Sequence, residues 1–158
     1  MLTDKDGYGL TRNRPIPMKQ AFLTQEGYGI LVGLSQKGTE AMNVIKNTCE
    51  FYEIPKNNMQ FVIISLTVRN ISTAEEPELI SSSFFNLVGS SNIVIHPHIR
   101  IQYPDDNECF CNIQAELFHD GGTTGSIVFC VPENETNMCL MWNKAFLDKS
   151  SIRYFAVE

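Results

Sequence analysis

The chain has 158 residues, 43% hydrophobic and 19% charged, the size and composition of one globular domain with a full core, which excludes a disordered chain. The net charge of −6 is uneven: residues 1–72 hold eight Lys/Arg against six Asp/Glu, residues 73–158 four against twelve, so no basic stripe exists to replace counterions and nucleic acid is not an expected partner. The longest apolar runs, such as FVIISLTV at 61–68, fall far short of the roughly 20 residues of a spanning helix, so no membrane span is expected.

The first residues, MLTDKDGYGLTRNRPIP, contain no apolar signal core. A leader removed before residue 1 and a cytosolic start are both compatible with that. Residues 1–19, rich in Gly, Arg and Pro, read as an extended N-terminal arm, and residues 20–158 as a single β-sandwich domain. DKDG at 4–7 echoes the start of a calcium loop but lacks its third acidic position and closing glutamate.

In GYGILVGLSQ, Tyr28, Ile30, Val32 and Leu34 alternate with the period of a half-buried strand. GTEAMNVIKNTCEFY then changes rhythm: Ala41, Val44, Ile45 and Thr48 predict one short helix at 39–48, with Thr39 as its N-cap. MQFVIISLTVRNIS follows as a strand buried on much of both faces. TAEEPELISS reads as a polar loop, its glutamates solvated. SFFNLVG, NIVIH, HIRIQY, NIQAELF, GSIVFCV, CLMWN and IRYFAV complete about nine strands. With one helix, these predict an all-β antiparallel sandwich.

GSIVFCVPENETNMCLMWN predicts a hairpin in which Phe129 faces Leu140, Ile127 faces Trp142 and Val131 faces Met138 on one face. That register sets Cys130 opposite Cys139, within reach of a disulfide. Of the other three cysteines, Cys49 pairs better with Cys109 or Cys111 than those two with each other. Five cysteines suit an oxidising compartment, although the odd count and the alternative of small buried hydrophobes leave this open. Zinc is a weaker reading, because Cys109-Phe-Cys111 lacks the knuckle spacer.

Glycines in ELFHDGGTTGSIVF raise the question of a phosphate loop, but neither a lysine nor a helix follows them. Gly121, Gly122 and Gly125 are therefore expected to supply positive φ and a tight reversal between two strands. His96, His98 and His119 are the candidate metal ligands or catalytic histidines, though Pro97 favours an exposed edge for the first two. Asn70-Ile71-Ser72 and Asn134-Glu135-Thr136 match the glycosylation sequon. The five tyrosines with Trp142 are a candidate sugar platform, weakened by placing Trp142 in the core.

GLTRNRPIPM resembles the Gly-x-x-Arg-x-x-Pro-x-Pro opening of an uncharacterised bacterial and archaeal domain family. CEFYEIPKNNMQFVIISLTVRNIS is similar to its long-strand signature ending Asn-x-Ser, AELFHDGGTTGSIVFCVP to its Gly-Gly stretch, and IRYFAVE to its closing strand. The resemblance implies an immunoglobulin-like β-sandwich, similar to the mycobacterial immunoprotective extracellular antigen, behind a secretion or lipoprotein signal. It implies no reaction and no cofactor. The expectation is a non-enzymatic extracellular or cell-surface module that binds a protein, glycan or envelope component, with a lipid anchor on a removed leader as one arrangement. The rival is a metal-dependent or hydrolytic enzyme built from His96, His98 and His119.

Overall fold

The computed structural model describes residues 1–104 and 110–158. Period-two alternation builds β2 (Tyr28–Lys37), with Tyr28, Ile30 and Val32 buried on one face. Leu34 is 49% exposed. A bulge between Val32 and Leu34 shifts the register against the next strand, and one extra residue turns the side chains beyond it to the other face.

β1 (Phe22–Leu23), β2, β3 (Met59–Asn70) and β7 (Gly122–Pro132) form an antiparallel sheet in the order β1-β2-β3-β7. β5 (Phe85–Val88), β8 (Cys139–Trp142) and β9 (Arg153–Ala156) form a second, in the order β5-β8-β9. β4 (Glu78–Ser81) pairs with β6 (Gln114–Leu117) alone. All three contribute to one core: Val62, Ile64 and Ile127 from the first sheet, Leu87, Trp142 and Phe155 from the second, Ile80 and Leu117 from the pair. The fold is a β-sandwich, with burial of each large apolar side chain contributing about 1.5–3 kcal/mol.

The helix α1 spans Thr39–Thr48, as the spacing predicts. Thr39 is its first residue rather than its cap. Gly38 holds the cap position at φ 60° and ψ −128°, a conformation that glycine takes without steric cost. Ala41 and Ile45 cover Phe61, Ile63 and Val128 on the outer face of the large sheet. This second cluster explains why β3 reads as buried on both faces.

The expected hairpin between GSIVFCV and CLMWN does not form. β7 pairs with β3 from Met59↔Pro132 to Arg69↔Gly122, while β8 lies between β5 and β9. β7 has 11 residues and β8 only four, so a mutual hairpin would leave most of the β7 ladder unpaired. The six residues assigned to one face do share one core. They meet across the sandwich rather than along it, because residues 133–138 carry the chain between sheets. Alternation reports which face a residue occupies and not which strand lies beside it.

The proposed Cys130–Cys139 disulfide is corrected by the same topology. Both side chains lie on faces alternate to the core residues of two different sheets, and such sheets pack about 10 Å apart, beyond the Cα reach of roughly 7 Å for a bridge. Cys49, Cys111, Cys130 and Cys139 are free thiols. Cys109 lies outside the described residues.

Two other expected strands are replaced. NIVIH and HIRIQY make single bridges only, Leu87↔Ile95 and Tyr52↔Ile101. Pro97 has no N–H to donate, and Ile93, Val94 and Ile99 face outward. β1 and β4 are the strands that sequence reading missed, β4 inside the stretch taken as a polar loop.

Residues 9–16 run beside β9. Tyr154 N–H donates to Gly9 O at 2.9 Å, Ile16 N–H to Tyr154 O at 2.8 Å and Ala156 N–H to Ile16 O at 2.8 Å. Ile16 is fully buried. The outer edge of β9 is thereby covered, which removes an exposed template for strand pairing.

Candidate functional site

The glycine-rich stretch is a structural joint. Gly121 N–H donates to Phe118 O at 2.9 Å, closing a four-residue turn. Its positive φ, 64°, belongs to Asp120, and none of Gly121, Gly122 or Gly125 has one, which corrects the backbone conformation expected of them, while the expected tight reversal between two strands does form. A short polar side chain tolerates that conformation. Gly125 serves close approach instead: a Cβ there would sit 2.7 Å from Ile113 Cα, where Ser126 N–H reaches Cys111 O. Asn70 ends β3 fully buried. Its amide bonds Leu117 O at 2.8 Å and its oxygen accepts from Ser72 N–H at 2.9 Å. The first sequon is thus a packed joint, whereas Asn134 of the second is exposed.

His96 and His98 do come together with other functional groups. Ile95 exchanges two backbone hydrogen bonds with Leu87 of β5, and His98 N–H donates to Val128 O of β7 at 2.7 Å. Residues 95–98 therefore strap the two sheets together along one side. Segment 51–53 runs against residues 100–102, with Glu53 N–H on Arg100 O and Gln102 N–H on Phe51 O, each at 2.9 Å. Between strap and segment lies a cleft of about 370 Å³ lined by Glu53, Lys56, His96, His98, Arg100 and Cys130.

Arg100 pairs with Glu53 at 2.8 Å. The Nδ1 atom of His96 lies 2.7 Å from Asn86 Oδ1. The His98 ring stands edge-on to Phe61, centroids 5.4 Å apart, and its Nε2 is buried without a hydrogen-bond partner among the described residues. Burial pushes the His98 pKa down, against the opposing pull of Glu53. Burial likewise pushes the Cys130 thiol up, helped by Glu53. A thiol in that state is a poor nucleophile near neutral pH.

His119 is elsewhere. Its Nδ1–H donates to Ser72 O at 2.6 Å and its Nε2 lies 3.2 Å from Asp120. Gly122, beside that turn, and Val128, beside His98, are six residues apart on one strand, about 20 Å. The structure therefore separates His119 from the His96–His98 pair. Among the described residues no group of three or more His, Cys, Asp or Glu is arranged to hold a metal ion.

Other sequence candidates resolve into structural contacts. Asp4 and Asp6 of DKDG sit in a single 3-10 turn, Asp4 bonding both Arg153 and Gln25. Glu78, expected to be solvated, accepts from Lys144 Nζ at 2.7 Å, and Lys144 also donates to the Tyr28 hydroxyl. Hydrogen bonding to Lys144 holds the Glu78 carboxyl below its ordinary pKa. Trp142 Nε1–H donates to Glu26 at 3.3 Å. Trp142 and Tyr28 are fully buried and form no exposed sugar platform. Nothing in the spacing of Tyr28, Glu78 and Lys144 foretold their meeting. Sequence reading also assigned no role to Phe51 (67% exposed), Ile54 (70%) and Ile99 (88%), whose type carries no mark of facing outward.

No helix among the described residues is long and apolar enough to cross a membrane. Among curated proteins, none matches this sequence. The fold is similar to that of the yjhA protein from Bacillus subtilis, with TM-score 0.58, 14% identity and coverage of 85% of this chain and 86% of that one. It is also similar to a candidate lipoprotein, ycdA, from Bacillus subtilis subsp. subtilis str. 168, with TM-score 0.57 and 13% identity, covering 84% of this chain but 36% of that one. An uncharacterised β-sandwich protein from Clostridium difficile 630 gives TM-score 0.50 at 6% identity, over 91% and 95% of the two chains. At these identities the likeness is one of fold. The sequence itself matches the model for a domain of unknown function, DUF4352, over residues 36–152, and the chain belongs to that family.

Proposed function

We propose that this domain is a non-enzymatic binding module working at the cell surface or outside the cell, and that a partner protein docks on the face formed by segments 51–54 and 93–100. The observation that carries this reading is that Phe51, Ile54 and Ile99, each more than 60% exposed, lie on two hydrogen-bonded segments that both contribute to one polar cleft, which Ile99 itself lines. Apolar side chains grouped beside polar ones mark contact sites more often than isolated exposed residues do. The likeness in fold to a candidate lipoprotein supports the location, and a lipid anchor on a leader preceding residue 1 would hold the module there.

Fractionation of source cells, with protease treatment of intact cells, tests the location. Surface-accessible protein is the expected result, and protein confined to the cytosol would overturn it. Retention of purified protein on isolated cell envelopes tests the face. A triple variant, Phe51→Ser with Ile54→Ser and Ile99→Ser, should lose at least tenfold in retention while melting normally; unchanged retention would remove this face from consideration.

A further inference from the structure

The cleft beneath this face gathers cationic groups in a chain of net charge −6. Lys56 and Arg100 line it with two imidazoles, and one carboxylate, Glu53, offsets them. Glu53 is already engaged by Arg100, while Lys56 has no carboxylate partner among the described residues. His96 is fixed through one ring nitrogen by Asn86, and the other, without a partner among the described residues, can donate when protonated. We propose that this cleft is an oxyanion site, which takes a phosphate or sulfate group through Lys56, His96 and Arg100 and couples its binding to protonation of His98.

The coupling follows from what surrounds His98. Phe61 covers one edge of its ring, the Val128 carbonyl takes its backbone N–H, and Glu53, Arg100, Lys56, His96 and Cys130 share its cleft. Its buried Nε2 has no hydrogen-bond partner among the described residues, so a proton gained there is poorly solvated. Glu53 and a backbone hydrogen bond with Arg100 favour the charged ring, but Glu53 divides its charge between His98 and Arg100. An anion in the cleft adds counter-charge beyond what Glu53 provides. Whatever favours the charged ring must, by reciprocity, bind more tightly when the ring is charged. This inference does not depend on a protein docking on the apolar rim, since the site is filled by a small ion.

Titration with sulfate, whose charge is constant between pH 5 and 8, tests it by nuclear magnetic resonance of the three histidine rings. The expected result is saturable movement of the His96 and His98 signals with His119 unmoved, and a dissociation constant about tenfold lower at pH 5.5 than at pH 8. Lys56→Ala, a change at an exposed residue, should weaken binding about fivefold or more at both pH values. His98→Gln should shrink the pH dependence to the part that protonation of His96 supplies, so that an undiminished pH dependence in His98→Gln would overturn the coupling. Glycerol phosphate compared with sulfate at pH 8 separates the sources: tighter binding identifies an ester on a larger ligand, and equal binding the free ion. The site is overturned if the His96 and His98 signals do not saturate, if all three histidines move alike, or if Lys56→Ala binds as the parent does. Loss of envelope retention without loss of sulfate binding would concern the docking face alone.

Discussion

The side-chain amide of Asn70 donates to the carbonyl of Leu117 at 2.8 Å, and this bond joins the end of β3 to the end of β6. The same residue accepts from Ser72 N–H, donates its own N–H to Gly121 O and accepts from Asp120 N–H at its carbonyl. Two motifs 50 residues apart, Asn-x-Ser and Asp-Gly-Gly, are one joint. Asn70→Ala leaves a buried carbonyl and an N–H without partners, and should cost about 2–3 kcal/mol. Urea unfolding of parent and variant measures this; a midpoint unchanged within error would mean that the joint contributes nothing.

Gly125 and Gly122 separate two reasons for a glycine in a strand. An added Cβ at Gly125 meets the Ile113 backbone at 2.7–2.8 Å, whereas at Gly122 the nearest atom is 3.4 Å away. Gly125→Ala should therefore destabilise by about 1–3 kcal/mol, because backbone must move, and Gly122→Ala by less than about 0.5 kcal/mol. Thermal melts of the two variants decide it. Equal losses would contradict the close approach of residues 112–113 to β7.

Strand and helix positions were legible where side-chain period and burial agree, as in β2, β3 and α1. Partners were not. Ile127, Phe129 and Val131 announced a buried face, and Leu140 and Trp142 another, yet a hairpin and a crossing between sheets predict the same pattern. Only the length mismatch between the two strands favours the crossing, and β8's limits are invisible in a continuous run of apolar residues. The His96–His98 pair was legible as a candidate because residues two apart share a face. The contribution of Lys56 and Glu53 to its cleft was not, since a loop 40 residues away carries no periodic mark of where it folds.

The thiols give a chemical readout of the sheet assignment. Under denaturing, non-reducing conditions Cys130 and Cys139 should both alkylate as free thiols, and a peptide linking them would overturn the topology. In the folded protein the order of reaction follows burial. Cys111 is partly exposed, whereas Cys49 and Cys139 are 8% and 4% exposed. Cys130 is accessible from the cleft, but burial raises its pKa and lowers its thiolate fraction. Peptide mapping after timed maleimide treatment should find Cys111 modified first, then Cys130, with Cys49 and Cys139 last.

Acid stability should depend on Asp4. Its carboxylate makes two hydrogen bonds of 2.7 Å to Arg153, whose side chain is 3% exposed. Hydrogen bonding to Arg153 holds the Asp4 pKa below its ordinary value despite partial burial. A carboxyl whose folded pKa is depressed contributes stability that is fully present above its unfolded value of about 3.9, and that stability is lost as pH falls through the lower folded value. Asp4→Ala leaves a buried guanidinium with only the Ser150 and Ile152 carbonyls, and should cost about 3 kcal/mol at pH 7, the lower end for a broken buried pair because Asp4 itself is 35% exposed. The gap between parent and variant should narrow as pH falls below about 4. Urea melts at pH 7, 4 and 2.5 measure it, and a gap that widens with acid would show that another group, and not Asp4, carries the charge interaction with Arg153.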